Sequence, residues 1–305
     1  MGIRKRRKIK RTLKTVLSIV LLVMAFFVYK CYGPNSDDTD GNYEIPSGTA
    51  EFHFIDIGQG DASLILVGED AILIDTGDRG SEEREKLTAY LEKLNITKLK
   101  YFVATHPDAD HIGSAAYVVE NYEIENVIMS PKTHTSATYE KFISALEERE
   151  HINVINAQDK LGESLYVGEL EMKILGPVGE YDSGDNNNPS VVIMARWGNT
   201  KVLLTGDAEK EAEARLVARY AEELDCDVLK VGHHGSHSSS QNSFIRYVKP
   251  EYAIISCGEG NDYGHPHDET ISTLNYHKAE IHRTDLEGSI VVSTNGEAIT
   301  IESEK

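Results

Sequence analysis

Cysteine is scarce in this chain, with three in 305 residues, at positions 31, 226 and 257. Three scattered thiols make no disulfide framework, and none stands at the short spacing of a cysteine metal site. Cys226 opens one apolar stretch and Cys257 closes another, which places both as buried thiols. Positive charge is scarce beyond the first segment. Nine of the 31 Lys and Arg precede Pro34, where no acid falls, leaving 22 against 50 Asp and Glu and a net charge of −28. A body this acidic repels polyanions at long range, and it carries neither a basic groove nor an aromatic-rich stacking run. Phosphate-rich substrates must then be drawn in by local charge such as that of a bound metal. A set of long apolar runs that would build a many-helix membrane channel is also missing.

The N-terminus carries a basic block (Arg4, Lys5, Arg6, Arg7, Lys8, Lys10, Arg11, Lys14), then an uncharged run from Thr15 to Tyr29. That run is short for a membrane span, and snorkelling of Lys14 and Lys30 extends it. Positive-inside bias puts the basic end in the cytoplasm and the body outside. The expected organisation is a basic N-terminus and single-pass anchor over 1–33, a linker rich in Asp, Gly, Pro and Ser over 34–49, and one domain over 50–305. The chain is thereby expected at the cell membrane with its domain extracellular. A cleaved signal that secretes the body is the rival, although Val28-Tyr29-Lys30 ahead of Cys31 offers no small-residue cleavage or lipoprotein pattern.

From Glu51 onward the pattern is that of a globular α/β domain. Phe52–Ile57, Ala62–Val67 and Ala71–Asp75 read as strands at hairpin spacing, which predicts antiparallel pairing. Glu82 to Leu94 reads as an amphipathic helix through Leu87, Tyr90, Leu91 and Leu94. Strands and helices then come in two successive blocks of mostly antiparallel strands, with the last strand over Gly288 to Ser293. A helix is predicted from Ala208 to Leu224 and another from Asp268 to His277. His53, His134 and His151 read as structural or solvated, His237 as loop, and His267 as the start of a helix.

The densest chemistry lies in His106-Pro107-Asp108-Ala109-Asp110-His111-Ile112-Gly113, between the apolar strand Leu99–Val103 and a short helix, Ser114–Tyr122. Imidazole and carboxylate are usual ligands for zinc, iron or manganese, and a turn lets neighbouring side chains converge. A polar turn with one capping Asp is the plainer reading, but a cap needs only one such residue. Other candidates also sit at strand ends: Asp75 before Gly77, Asp207 after Gly206, and His233-His234-Gly235 after the strand Asp227–Val231. Alone, Asp75 is also a turn residue and Asp207 also a helix cap.

His106 to His111 resembles the His-x-His-x-Asp-His signature of the metallo-β-lactamase superfamily, with Asp108 where most members have a second His. That variant, with Ile57-Gly58-Gln59-Gly60-Asp61, Asn188-Pro189-Ser190 and His233-His234-Gly235-Ser236, looks like the hydrolase domain of ComEC-type competence proteins. The resemblance spans roughly Glu51 to Ser293. It implies a four-layer αββα sandwich and a centre of two divalent cations, Zn or Mn, the latter favoured by the harder Asp108. It further implies that Asp110, His111 and His265 hold one cation and that His106, Asp108 and His233 hold the other. Asp207 would bridge the pair, and Asp75 would support the metal loop from behind. Asp110 and His234 are the expected catalytic residues, His234 as acid or substrate contact. Gln59, Asn188 and Ser190 are expected at the substrate or around the ligands, because this chain lacks the third-motif His.

The resemblance points to a metal-activated water attacking a phosphodiester, in single-stranded DNA or in an extracellular wall polymer such as a choline-phosphate ester. Asp108 and the missing His depart from the β-lactamase pattern. A different class, a non-catalytic module in which metals only hold loops, has against it that a structural site needs four ligands and this chain supplies more.

Overall fold

Strand side chains in this protein alternate between two buried layers. In β1 (Ala50–Phe54), β2 (Ser63–Val67) and β3 (Asp70–Ile74), Phe52, Phe54, Ile65, Ile72 and Ile74 enter one apolar layer, while Leu64, Leu66, Ala71 and Leu73 enter another. Successive strand residues point to opposite faces, so strands apolar throughout are covered on both sides. The computed structural model describes Tyr43 and residues 45–305, and Tyr43–Lys305 is one compact unit. The expected basic block and membrane anchor, and most of the linker, lie outside the described residues. Among the described residues no helix is long and apolar enough to cross a membrane.

The first sheet continues with β4 (Lys98–Ala104), β5 (Glu123–Met129) and β6 (Asn153–Asn156), and takes in β14 (Ile290–Thr294) and β15 (Ile299–Ser303). Its order is β15-β14-β1-β2-β3-β4-β5-β6. The second contains β7 (Ser164–Val167), β8 (Leu170–Gly176), β9 (Val192–Trp197), β10 (Thr200–Leu204), β11 (Val228–Lys230), β12 (Tyr252–Ile255) and β13 (Glu280–Arg283). Its order is β13-β12-β11-β10-β9-β8-β7. The sheets pack face to face over a core that includes Phe52, Ile72, Ile193, Trp197 and Val202. Helices α1 (Ser81–Lys93), α2 (Ala109–Ile112), α3 (Ala115–Asn121) and α4 (Ala137–Glu147) cover the outer face of the first sheet through residues such as Leu87, Val118 and Phe142. On the second, α5 (Lys210–Tyr220), α6 (Asn242–Val248) and α7 (Asp268–Tyr276) do the same through Leu216, Phe244 and Leu274. The layering is αββα, as expected.

Strand direction corrects the expectation of mostly antiparallel blocks. β3 through β6 are parallel, and so are β10 through β13. The cause is the interposed helices, since a helical crossover returns the next strand in the same direction. Nor are the two halves successive: β14 pairs with β1, and β15 (missed as a strand) pairs with β14, so the chain ends on the first sheet. The helix expected over Ala208 to Leu224 is α5 followed by a separate 3-10 turn, Ala221–Leu224, because Ala221 turns at φ 40°. Thr284 to Glu287 forms one helical turn, α8, whose Thr284 hydroxyl accepts the Cys257 amide at 3.0 Å and so ties the ends of β12 and β13 together.

Parallel strands of both sheets deliver their C-terminal ends to one rim. Asp75 follows β3, Thr105-His106 follows β4, Asp207 follows β10 and His233-His234 follows β11. Backbone groups at such ends are open, and the loops leaving them supply functional side chains.

Candidate metal centre

The metal turn is pinned from behind by Asp75, itself in left-handed backbone at φ 60°. One oxygen of its buried carboxylate accepts the Thr105 amide at 2.8 Å. The other accepts the Thr105 hydroxyl at 2.7 Å and meets His111 Nδ1 at 2.7 Å. A histidine held this way presents its other nitrogen outward. His111 Nε2 accordingly lies 3.1 Å from Asp207 Oδ1. His106, anchored at Nδ1 by the Thr105 hydroxyl at 3.1 Å, aims Nε2 at Asp207 Oδ2 and Asp108 Oδ2, both 3.9 Å away. Asp110 Oδ2 meets His234 Nε2 at 3.2 Å. Close packing needs glycine here, because a Cβ on Gly113 would stand 2.1 Å from the Asp78 carbonyl carbon.

The second sheet completes the cluster. Asp207 is set by its amide, which the Ser190 hydroxyl accepts at 3.2 Å. His233 and His234 sit in consecutive left-handed conformations, φ 51° and 52°, in a short turn after β11. That strained pair of residues swings both Nε2 atoms to 3.7 Å from Asp207 Oδ2. Behind them, Glu209 Oε1 and the Ser238 hydroxyl hold His233 Nδ1 at 3.1 and 3.2 Å, and the Ser256 carbonyl holds His234 Nδ1 at 3.0 Å. His234 is fully buried while the His233 side chain is 23% exposed. His265 is half-buried, with its ring centre 5.6 Å from His233 and 6.0 Å from His234, and Tyr263 stacks on it at 5.6 Å and 17°.

His106 Nε2 and His265 Nδ1 are buried and close no hydrogen bond, and His111 Nε2 and Asp207 Oδ1 meet at 3.1 Å without the alignment of one. Each such atom costs about 1–3 kcal/mol when left alone. Two sets of three, His106 with His111 and Asp207, and Asp61 with His111 and His234, place one ligand atom each within 4.8 Å of one another. Imidazole and carboxylate donors at these distances fit divalent cations.

Charge is divided within the cluster. Burial and the adjacent His111 push the His106 pKa down to about 3, and burial with His234 and His233 pushes His265 down to about 4. Both are neutral lone-pair donors at physiological pH. Burial also works against charge on His111, His233 and His234, but the carboxylates of Asp207, Asp75, Glu209 and Asp110 overcome it and hold all three above the usual histidine range. Asp207 and Asp110 stay well below the usual carboxylate range despite burial, through those imidazoles. Burial outweighs the Asn186 amide at Asp108 and raises it. The protonated imidazoles thus supply the positive charge that a cation would supply in their place.

Of the expected site residues, the structure gathers His106, Asp108, Asp110, His111, Asp207, His233, His234 and His265 around one space, with Asp75 behind them. Asn188 is elsewhere engaged: its Oδ1 accepts the Glu209 and Ala212 amides at 3.2 and 2.9 Å, and its Nδ2 donates to Asp185 at 2.6 Å. It caps α5. Asn186 is the member of that run that reaches the centre, donating to Asp108 Oδ1 at 2.8 Å. Gln59 bridges loops, accepting the Gly258 amide at 3.1 Å. Lys230 and Glu209 are not among the residues singled out in the sequence, and Asp61 enters there only as the end of the Gly58-Gln59-Gly60-Asp61 loop, with no role. Lys230 donates to Asp61 Oδ2 at 2.9 Å and stands 2.8 Å from Oδ1, both residues buried, and holds that carboxylate below its usual range against burial. A lysine inside the apolar strand Val228–Val231 was the available signal. Further out, Glu213 on α5 is buried and accepts the Ser240 and Gln241 amides, fixing the loop that follows the His233-His234 turn.

Comparison with known proteins agrees with this geometry. The family description "Metallo-beta-lactamase superfamily" matches residues 55–259. ComE operon protein 3 of Bacillus subtilis is 33% identical over 81% of this chain and 33% of its own length. Recombination protein 2 of Haemophilus influenzae is 29% identical over 92% of the chain and 32% of its own length. The chain thus spans about a third of these relatives. Among solved structures, the metallo-β-lactamase fold protein YhfI of Bacillus subtilis superposes with a TM-score of 0.52 at 12% identity, covering 83% of this chain and all of that one. On the matched profile and these relatives, the chain belongs to the metallo-β-lactamase superfamily, in the branch of the ComEC-type competence hydrolase domains.

Proposed function

We propose that this protein is a metal-dependent phosphodiester hydrolase. The observation that carries the reading is the buried convergence of His106, His111, His234 and Asp207, in which Nε2 of His106 and of His111 and Oδ1 of Asp207 close no hydrogen bond. Two divalent cations, Zn or Mn, bound there supply an acidified water and polarise a phosphoryl oxygen, chemistry suited to in-line displacement. Asp207 reaches both sides of the space, as a shared carboxylate must. Asp110 and the deeply buried His234 act as ligands, whereas His233 is the group poised to move a proton. His233 is partly exposed, faces the centre through Nε2, and is backed by Glu209 at Nδ1. This reverses the roles that sequence order suggested for the two histidines. A carboxylate behind a histidine, as the partly exposed Glu209 is here, fixes its tautomer and favours the protonated form, so His233 is matched to protonating a leaving oxygen.

Substrate choice rests on two features. Relatives named for competence and recombination support a nucleic-acid strand. Tyr263, 66% exposed and stacked on His265, gives the mouth an aromatic face on which a base can lie. The acidic body and the basic, uncharged-run N-terminus support membrane anchoring with the domain outside the cell, where a wall-polymer phosphodiester is the second substrate reading. The test is hydrolysis of bis(p-nitrophenyl) phosphate and of a single-stranded oligonucleotide with Zn²⁺ and with Mn²⁺, beside an Asp110→Ala control. Turnover is expected for the native protein and not for the control. Tight metal binding without turnover on either substrate or on a choline-phosphate polymer would return the protein to the non-catalytic reading. Within the active case, Glu209→Gln is expected to lower kcat about tenfold and move the alkaline limb of the pH profile down.

A further inference from the structure

We infer that Asp61 is itself a ligand of the metal centre and that Lys230 is the residue that positions it. The two are 169 positions apart, Asp61 ahead of β2 in the first sheet and Lys230 at the end of β11 in the second. Both are buried, at 4% and 2% exposure, and Lys230 is the one fully buried lysine or arginine among the described residues. Its ammonium donates to Asp61 Oδ2 at 2.9 Å and to the Val231 carbonyl at 3.1 Å, and stands 2.8 Å from Asp61 Oδ1, which is buried and closes no hydrogen bond. Such a grip leaves the Asp61 carboxylate no freedom to turn away. The oxygen it presents lies within 4.8 Å of ligand nitrogens of both His111 and His234. Neither of those nitrogens can serve a site on the far side, because each ring's Nδ1 is already bound, to Asp75 and to the Ser256 carbonyl.

The Asp61 backbone is locked to the same place. Its amide donates to the Asp110 carbonyl at 3.0 Å and its carbonyl accepts the Gly77 amide at 2.8 Å. Gly60 permits that approach, since a Cβ there would stand 2.5 Å from the Asp110 oxygen. Charge gives a second, independent reason for the lysine. The carboxylates of Asp61, Asp108, Asp110 and Asp207 crowd one space, with Asp75 and Glu209 behind its histidines. Lys230 supplies positive charge there from inside the protein, where an unmatched carboxylate is costly. Asp61, His111 and His234 therefore form the inner cation position, with His106, Asp108 and Asp207 around the outer one.

This assignment rests on the metal-dependent reading above, and its test reads metal rather than turnover. The full chain and its variants are stripped, titrated with Zn²⁺ and Mn²⁺ alone, and measured for cation content and affinity. Asp61→Asn is expected to lose one bound cation per chain. Lys230→Met is expected to keep the stoichiometry and bind about 10–100-fold more weakly, the usual effect of removing a ligand's support. Because each single change leaves a buried charge unpaired and can unfold the chain, Asp61→Asn with Lys230→Met is the deciding variant. If it melts like the native metal-free protein and lacks the inner cation, the assignment holds. If it melts likewise and binds cations as the native chain does, the pair is only a strut between the sheets. A native chain that binds no divalent cation overturns it too. A native chain that binds cations but hydrolyses neither test substrate sinks the phosphodiesterase reading and leaves Asp61 in place.

Discussion

The two sheets contribute to the centre in different ways. The first sheet's share, Asp75 with Thr105, His106, Asp110 and His111, is packed without slack: glycines admit backbone against backbone, and one carboxylate orders both the strand end and the histidine. The second sheet's share is a pair of strained residues, a half-buried His265 and an exposed Tyr263. Rigid placement suits ligands, whose geometry must survive each turnover. Partial exposure suits groups that meet substrate or exchange protons with solvent. The difference teaches that both sheets feed the centre, while the imidazole and aromatic groups open to solvent, His233, His265 and Tyr263, come from the second.

Asp207 belongs to both shares and gives the largest expected effect. Asp207→Ala should lower turnover at least about a thousandfold and abolish tight metal binding, checked by single-turnover hydrolysis and by cation content. An active Asp207→Ala protein would break the comparison outright, because no shared carboxylate would be needed.

Glu213 supports the second sheet's share, and its effect falls on stability. Burial raises its carboxyl to about 8 from an ordinary value near 4.5. A folded pKa above the unfolded one means that the native state binds the extra proton. The neutral form is retained without penalty below about 4.5, and stability is lost as pH rises from there toward about 8. The loss by pH 7.5 is on the order of 3 kcal/mol. Denaturant midpoints should therefore show Glu213→Gln more stable than the native protein at pH 7.5 and nearly equal at pH 5. The reverse order would mean that the Ser240 and Gln241 amides keep the carboxylate ionised.

Asp75→Asn acts on the rigid side. With the amide unable to hold both Thr105 and His111, metal affinity should drop about 10–100-fold, while the rate at saturating metal falls less. Equal losses in both would put Asp75 in the chemistry rather than behind it. The smallest effect is expected at the mouth: Tyr263→Ala should raise KM for an oligonucleotide about fivefold and leave bis(p-nitrophenyl) phosphate unchanged, consistent with stacking worth about 1–3 kcal/mol per base.

Much of this was legible in the sequence. The ligand run His106–His111, the Gly-framed His233-His234 and the solitary Asp207 all end apolar strands, and the structure brings them to one rim. Antiparallel pairing of β1, β2 and β3 was legible from hairpin spacing, whereas the direction of β4–β6 and β11–β13 was not, because an apolar run looks the same in parallel and antiparallel neighbours and only the intervening helices report the crossover. Asn188 misled because a turn asparagine and a helix-capping asparagine have the same local sequence; its two accepted amides lie 21 and 24 positions away. The pairing of Asp61, named only as part of a loop motif, with Lys230 was hidden for a different reason. A buried charge is explained only by its partner, and theirs is supplied by the other sheet.

That cross-sheet construction has a bearing on how the protein unfolds. Ligands drawn from both sheets make a bound cation a rivet through the sandwich, so opening either half must first release it. Binding to the native state alone adds RT ln(1 + [M]/Kd), about 2.7 kcal/mol when free metal is a hundredfold above Kd. Chelation should then do more than silence the protein. It should move the single cooperative transition of the shared core to lower temperature.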